Sequence, residues 1–239
     1  MLHSIRDMRG DRIVARDGEV GAVSDVYFDD ERWGVRYLAV DARVFDGGRQ
    51  VLIPPSSIDR ERSSERSICV DLTREQLKRC PDANGPGGGR QVPRSFEMAL
   101  ARYYGFPYYW IGPELWGPAS RPVDAEEARG AGRSTALEMQ EHAEANDEEA
   151  GRSHLRSGGD VVGYRLETSD GAIGQIQDVL FDDDTWSVAH LVVDTGEWLP
   201  GRKVLLSPAL VKGVDPVHRV VRVRASRREV ERAPEAIGR

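Results

Sequence analysis

The stretch Asp17–Asp41, DGEVGAVSDVYFDDERWGVRYLAVD, returns in altered form at Asp170–Asp194 as DGAIGQIQDVLFDDDTWSVAHLVVD. Aligning Gly18 with Gly171 sets a constant offset of 153 residues, and no gap is needed from residue 10 to residue 81. About twenty of some fifty aligned positions are identical, where average composition would give roughly three. A self-repeat of this kind predicts two copies of one domain.

Length and charge narrow the class of protein. The 239 residues suffice for two small domains of about 70–80 residues each. A net charge of −7 argues against general nucleic-acid binding. No apolar run is long enough for a membrane-spanning helix, and the first residues lack the apolar core of a signal peptide. Cys69 and Cys80 have no counterparts in the second copy, which favours a reduced cytoplasmic protein. Peripheral membrane association stays open.

Local signals predict short strands and one closing helix in each copy. Asp17-Gly18 lies between strand-like runs and predicts a hairpin whose two central residues have positive φ. Gly21 and Gly174 interrupt the next strand and indicate a bulge or sharp bend. Two capping boxes predict the start of the closing helices. The capping pairs are Thr73 with Gln76 and Ser226 with Glu229.

The predicted fold class is mainly β, with two small β-barrels in tandem, each closed by a short C-terminal helix. The barrels occupy residues 1–82 and 154–239. The middle, 83–153, differs in composition: it contains an aromatic segment at 95–117 and an acidic flexible tether at 122–153. Periodic apolar residues predict a helix at the start of the aromatic segment, from Ser95 to Arg102.

The repeated G-x-x-G-x-x-x-D-V-x-F-D-D core, the W-x-V-x-x-L-x-V-D strand and the V-L-[IL]-x-P segment resemble the PRC-barrel family, named after the photosynthetic reaction centre. The closing VDLTREQLKRCP unit resembles the family's ending as well. This resemblance covers both copies and leaves the middle uncovered. It implies a tandem pair of PRC-type barrels.

What the resemblance implies about function is limited. The family includes the cytoplasmic portion of the reaction-centre H subunit, which helps protons reach a bound quinone, and the C-terminal domain of a ribosome maturation factor. We expect neither specialised role, since the sequence contains neither the membrane helix of the former nor the additional N-terminal domain of the latter. Many members are stand-alone bacterial proteins regarded as adaptor or assembly modules, although a shared fold is an associational argument.

Seven aromatic residues in the middle of the chain are the candidate interaction residues. An exposed patch of this kind marks a binding surface, and Tyr and Trp are favoured interface anchors. The alternative is that the segment folds over one barrel, or between the two, and completes a small core; a mixed arrangement is a third interpretation. The seven are Tyr103, Tyr104, Phe106, Tyr108, Tyr109, Trp110 and Trp116.

A second set of residues occurs in both copies and is interpreted as structural. The acidic triplets at 29–31 and 182–184 would suit a hard cation, yet contiguous acids on a tight turn favour a solvated turn. The strand acids at 25 and 178 would serve proton transfer, yet backbone hydrogen bonding is the ordinary interpretation. The tryptophans are expected in packing rather than ligand stacking. The set comprises Gly18, Gly21, Asp25, Asp29, Asp30, Trp33, Asp41, Gly171, Gly174, Asp178, Asp182, Asp183, Trp186 and Asp194.

No catalytic, metal or cofactor motif emerges from the sequence. The five histidines lack metal-ligand spacing, and no nucleophile elbow, Walker A loop or dinucleotide fingerprint occurs. We therefore expect a non-catalytic protein-interaction or assembly module without a cofactor, binding another protein or itself, through either pseudo-two-fold pairing of the barrels or a homodimer. The alternative is a component of photosynthetic or electron-transfer machinery. A small-molecule binding barrel or a cryptic enzyme ranks third.

Overall fold

A computed structural model describes residues 1–42, 45, 49–82, 92–122, 124, 154–196 and 202–236. Strands dominate and form two separate sheets of seven strands each. This confirms the predicted mainly-β class with two barrel-like domains. The predicted glycine-rich linker and almost all of the predicted acidic tether lie outside the described residues.

The described chain contains fourteen strands and five α-helices. The first seven strands are β1 Leu2–Ser4, β2 Arg12–Ala15, β3 Gly18–Asp29, β4 Val35–Ala42, β5 Arg49–Ile53, β6 Ile58–Ser64 and β7 Ser67–Val70. The second seven are β8 Leu155–Ser157, β9 Arg165–Thr168, β10 Gly171–Asp182, β11 Val188–Asp194, β12 Lys203–Leu206, β13 Val211–Asp215 and β14 Val220–Val223. The helices are α1 Ile5–Met8, α2 Arg74–Arg79, α3 Arg94–Tyr104, α4 Gly158–Val161 and α5 Arg227–Glu231.

The two sheets have the same topology. One runs β5-β4-β3-β2-β7-β6 and the other β12-β11-β10-β9-β14-β13. The pairs β2–β7 and β9–β14 are parallel, and the remaining neighbours in each sheet are antiparallel. Matching order and register follow from the constant offset between the copies. We call residues 1–82 repeat 1 and residues 154–239 repeat 2; these domain limits remain a prediction.

The first strand of each repeat belongs to the sheet of the other. Strand β1 pairs with β10, with Leu2 opposite Asp182, and β8 pairs with β3, with Leu155 opposite Asp29. Because β1 and β8 are equivalent at the offset of 153, the exchange is reciprocal. The repeats therefore pair within one chain about a pseudo-two-fold axis.

The predicted hairpin is present, but its turn is shifted by one residue. Ala15 pairs directly with Gly18, so the two loop residues are Arg16 and Asp17, and Asp17 is not in the positive-φ region. Gly18 opens β3 with φ of 137°. The Asp17 carboxylate is used elsewhere: its Oδ1 accepts the backbone N–H of Arg74 at 2.8 Å, at the start of α2.

The strand glycines stand where two backbones cross. A Cβ on Gly21 would lie 1.9 Å from the carbonyl oxygen of Asp41, and one on Gly174 would lie 1.8 Å from that of Asp194. No side chain fits at such a distance, so each sheet can bend sharply here only with glycine. Both predicted capping boxes are formed, at Thr73 and at Ser226.

Candidate interaction surface

We call the contact of β1 with β10 and of β8 with β3 the seam between the repeats. Paired serines and aspartates stabilise it. Ser4 of β1 donates its hydroxyl to Asp178, and Ser157 of β8 donates to Asp25. The Asp25 carboxylate also accepts the backbone N–H of Gly159 at 2.9 Å. Burial raises the pKa of Asp178, while the Ser4 hydroxyl opposes that shift. These strand acids bind the exchanged strands to the accepting sheets.

Acids of the turns reinforce the seam. Asp30 contacts His154 at 3.0 Å and Arg156 at 2.7 Å, and in the equivalent place Asp183 contacts His3 at 3.1 Å. Burial raises the pKa of Asp30, against the opposing effect of its basic partners. The turn acids thus lie opposite basic side chains contributed by the other repeat.

Trp33 and Trp186 stand at the centre of the seam. Both have left-handed backbone angles, with φ of 60° and 58°, a conformation that is uncommon for a bulky residue. Their carbonyl oxygens accept N–H groups across the seam, from Val188 at 2.7 Å and from Val35 at 2.8 Å. Their rings pack on core phenylalanines of their own repeats. The strained turns therefore bring the two repeats into direct backbone contact.

The aromatic segment, residues 95–117, covers a buried ion pair of repeat 1. Arg36 lies 2.6 Å from Asp29, and both side chains are almost fully buried, at 1% and 2% exposure. The Arg36 guanidinium carbon lies 3.9 Å from the ring centre of Tyr109 and 4.8 Å from that of Trp116. Desolvation of such a pair is costly, and stacking on aromatic faces partly offsets that cost.

Hydrogen bonds fix the segment to both repeats. Tyr104 donates its hydroxyl to the carbonyl oxygen of Leu52 at 2.8 Å. Trp116 donates its indole N–H to the carbonyl oxygen of Thr185, in repeat 2, at 2.9 Å. Within the segment, Tyr109 donates its hydroxyl to Glu97 of α3. The segment is therefore a built-in part of the fold on the repeat 1 side.

The seven candidate interaction residues differ in exposure. Four are buried, two are partly buried, and Tyr103 alone among the seven is exposed, at 37%. The interpretation in which the segment folds over a barrel accounts for the buried rings; a docking role for Tyr103 stays a prediction. The buried residues are Tyr104, Tyr108, Tyr109 and Trp116, and the partly buried ones are Phe106 and Trp110.

Under the aromatic segment lies a surface that we call the covered face. It is made of four buried residues of repeat 1: Arg36, Tyr37, Pro54 and Ser56. Burial strongly raises the pKa of Tyr37. Sequence reasoning missed Arg36, because a charged residue in a strand ordinarily faces solvent. Its replacement by alanine in repeat 2 is the signal that marks it.

The equivalent surface of repeat 2, which we call the open face, carries no aromatic segment among the residues that the structure describes. Its residues are Ala189, His190, Ser207 and Ala209; the first two are partly buried and the last two are exposed. Leu210 beside them is 39% exposed, whereas its counterpart Ser57 is buried. The buried Nδ1 of His190 has no hydrogen-bond partner within the described part of the chain. Such an atom is costly to leave unsatisfied.

Repeat 2 also has a cleft of about 270 Å³ beside α4. Its walls include Tyr164, Val217 and Arg219, with the Arg219 guanidinium carbon 5.0 Å from the Tyr164 ring centre. In repeat 1 the residues at the places of Tyr164 and Arg219 are Asp11 and Arg66, which form an ion pair at 3.2 Å. The cleft is a second difference between the repeats.

The remaining repeated residues support turns and crossings. The pKa of Asp182 is held at about 2, chiefly by the backbone N–H of Thr185. Among the residues that the structure describes, no group of three or more His, Cys, Asp or Glu side chains could hold a metal ion. Cys69 and Cys80 are buried and unpaired as disulfides. No helix in the described ranges is long and apolar enough to cross a membrane.

Comparison with known proteins identifies the family of the chain. The model of the PRC-barrel domain matches it twice, at residues 2–77 and at residues 156–230. No curated protein matches the chain. The two matches cover more than half of the sequence and fall within repeat 1 and repeat 2. The chain therefore belongs to the PRC-barrel domain family and contains two copies of that domain.

Proposed function

We propose that this protein is a non-catalytic interaction or assembly module and that its docking surface is the open face of repeat 2. The observation that carries the proposal is the difference between equivalent surfaces: the aromatic segment covers one, and the other is partly exposed among the residues that the structure describes. An exposed apolar surface on a rigid scaffold is typical of a binding site.

The covered face indicates what such a surface accepts. In repeat 1 the occupant is a helix followed by an aromatic loop, which supplies a tyrosine hydroxyl to a strand carbonyl at Leu52. A partner protein that presents a similar aromatic segment would meet alanines at 189 and 209 and the side chain of Leu210. In this proposal the partner is met in the cytoplasm or at a membrane surface.

The contacts of the strand acids support a non-catalytic role. A general acid or base needs a free position for the proton that it transfers. Asp25 accepts hydrogen bonds from Ser157, Val26 and Gly159. Asp178 has equivalent partners, including Ser4. In our proposal these carboxylates stabilise the pairing of the two repeats. Their occupied hydrogen-bonding positions also disfavour the alternative role in proton or electron transfer.

The test is quantitative capture from the source cell with the full chain and three variants. Ala209→Glu adds a charge to the open face, Val217→Glu adds one at the repeat 2 cleft, and Tyr103→Ala removes the exposed tyrosine. We expect one protein to be retained by the wild type, Val217→Glu and Tyr103→Ala and to be lost from Ala209→Glu. Binding of that purified protein is then titrated against each variant.

Thermal unfolding of all four proteins controls for folding, because the three positions are exposed and their variants should melt within a few degrees of the wild type. Unchanged binding by Ala209→Glu would refute the open face as the docking surface. Loss from Val217→Glu alone would move the site to the cleft, and loss from Tyr103→Ala alone would move it to the aromatic segment.

A further inference from the structure

The pairing of the repeats has a close contact at the point where two short helices meet. Ile5 opens α1 and is 1% exposed; its counterpart at the offset of 153 is Gly158, which opens α4 and is also buried. A Cβ on Gly158 would lie 2.7 Å from Cγ2 and 3.2 Å from Cδ1 of Ile5. The Ile5 side chain thus fills the space that any side chain at 158 would need.

Two kinds of seam contact, the serine–aspartate hydrogen bonds and the turn-acid pairs, do not distinguish one repeat from the other. Ser4 and Ser157 each donate to an aspartate, and each turn acid faces a basic side chain. Either opening strand would therefore suit either accepting sheet. Repeat 1 paired with a second repeat 1 would retain these contacts, and so would a pair of repeats 2.

The helix contact does distinguish them. Two copies of repeat 1 would place Ile5 against Ile5, where even a Cβ would be too close, and overpacking of a core is destabilising. Two copies of repeat 2 would place Gly158 against Gly158 and leave an unfilled cavity, which is destabilising as well. The unlike pair combines one large and one absent side chain, and so avoids both costs.

We propose that Ile5 and Gly158 form the specificity-determining contact of the seam, which selects pairing between unlike repeats and rejects a like repeat. The partner that fits the seam of repeat 1 is a PRC-type repeat with glycine at the position of Gly158. A second molecule of this chain meets that rule through its repeat 2. One chain contains one copy of each repeat, so the linker also favours the unlike pair, and the preference of the contact itself is measured on separated repeats.

A double-mutant cycle in the full chain tests the contact. Gly158→Ala is expected to lower Tm by about 5 °C, because its Cβ meets Ile5. In the Ile5→Ala background the same change should cost far less, because both Ile5 atoms are gone. A small cost remains, since that Cβ would also lie 3.0 Å from the Val26 carbonyl oxygen. Gly213→Ala is the control, since no atom lies within 4 Å of its Cβ.

A second measurement reads the pairing itself. A protease site inserted between residues 125 and 153 is cut after folding, the halves are unfolded and refolded together, and native mass spectrometry counts the pairs. The wild type is expected to return unlike pairs. Ile5→Ala should also give pairs of two repeat 1 halves, because the overlap is removed.

Additive effects in the cycle would overturn the proposal, and so would wild-type halves that re-pair in statistical proportion. Should Gly158→Ala alone fail to fold, folding of the double variant supports the contact and failure of the double variant overturns it.

Discussion

The covered face of repeat 1 and the open face of repeat 2 occupy the same place in the same topology, yet one is core and the other is surface. Beneath the aromatic segment the strand carries Arg36, held against Asp29. At the equivalent position of repeat 2 stands Ala189, and Asp182 there is 34% exposed. The difference teaches that identical strands and turns fix the fold, while a segment added between them sets which face remains available.

The largest expected effect concerns the buried ion pair. Asp29→Ala leaves the Arg36 guanidinium buried without its counter-ion, and we expect a loss of about 3–5 kcal/mol in the free energy of unfolding. Asp182→Ala, the equivalent change in repeat 2, should cost less, about 1–2 kcal/mol, since Asp182 is partly solvated and its removal leaves no buried charge unpaired. Urea denaturation of both variants measures the difference. Equal losses would show that the two faces are energetically alike.

A charge placed on each face sharpens the comparison. Ser56→Asp puts a carboxylate beneath the aromatic segment, and we expect a loss of about 2–4 kcal/mol, because a buried unpaired charge is poorly solvated. Ala209→Asp puts the same charge on the exposed counterpart and should change stability by about 0.5 kcal/mol at most. Thermal unfolding at neutral pH checks both. A strong effect at 209 would mean that the open face is covered.

Removal of one hydroxyl tests how firmly the aromatic segment is attached. Tyr104→Phe deletes the buried hydrogen bond to Leu52, and we expect a loss of about 1 kcal/mol. Tyr103→Phe is the comparison: it removes the hydrogen bond from the exposed neighbouring tyrosine to the carbonyl oxygen of Gln76 and should cost less, because that bond is open to solvent. Urea midpoints at constant m-value report the two losses. A larger loss at Tyr103 would contradict the packing described for α3.

The smallest effect is the pH dependence that Asp182 contributes. The pKa of Asp182 is about 2 in the folded protein, below the value of about 3.9 expected for an unfolded chain. Its contribution to stability is therefore present above about pH 4 and is lost as the pH falls towards 2. Asp182→Asn should flatten this part of the acid unfolding curve. An unchanged curve would show that the N–H of Thr185 does not favour the carboxylate.

Much of the fold was predictable because the sequence contains two copies that can be compared with each other. The glycines at backbone crossings, the short strands and the capping boxes were predicted from residues shared by both copies. The position of the hairpin turn was not, since Asp17 instead accepts a hydrogen bond from the N-terminus of α2. The exchange of β1 and β8 was not predictable either. The sequence pattern of a strand is the same whether it pairs with the sheet of its own repeat or with the similar sheet of the other repeat.

The candidate site was less predictable. A run of aromatic residues predicts apolar contacts, but it does not tell which surface the rings pack against. Their buried partner, Arg36, has the sequence pattern of a surface residue in its strand. Its burial depends on Tyr109 and Trp116, more than seventy residues later in the chain. Comparison of the two copies supplies the missing information, because Arg36 and Ala189 differ where their surroundings match.

The exchange of β1 and β8 also determines the order in which strands can pair while the chain is being synthesised. A growing chain presents repeat 1 first, but the edge of β3 receives its last strand when Leu155–Ser157 is made, and β1 finds its own place when β10 is made. On the ribosome, repeat 1 therefore has an unpaired edge at β3 until β8 is made, and such an edge can associate with other strands. We expect chains arrested before residue 150 to be protease-sensitive at β1, and chains arrested with repeat 2 fully emerged to be resistant.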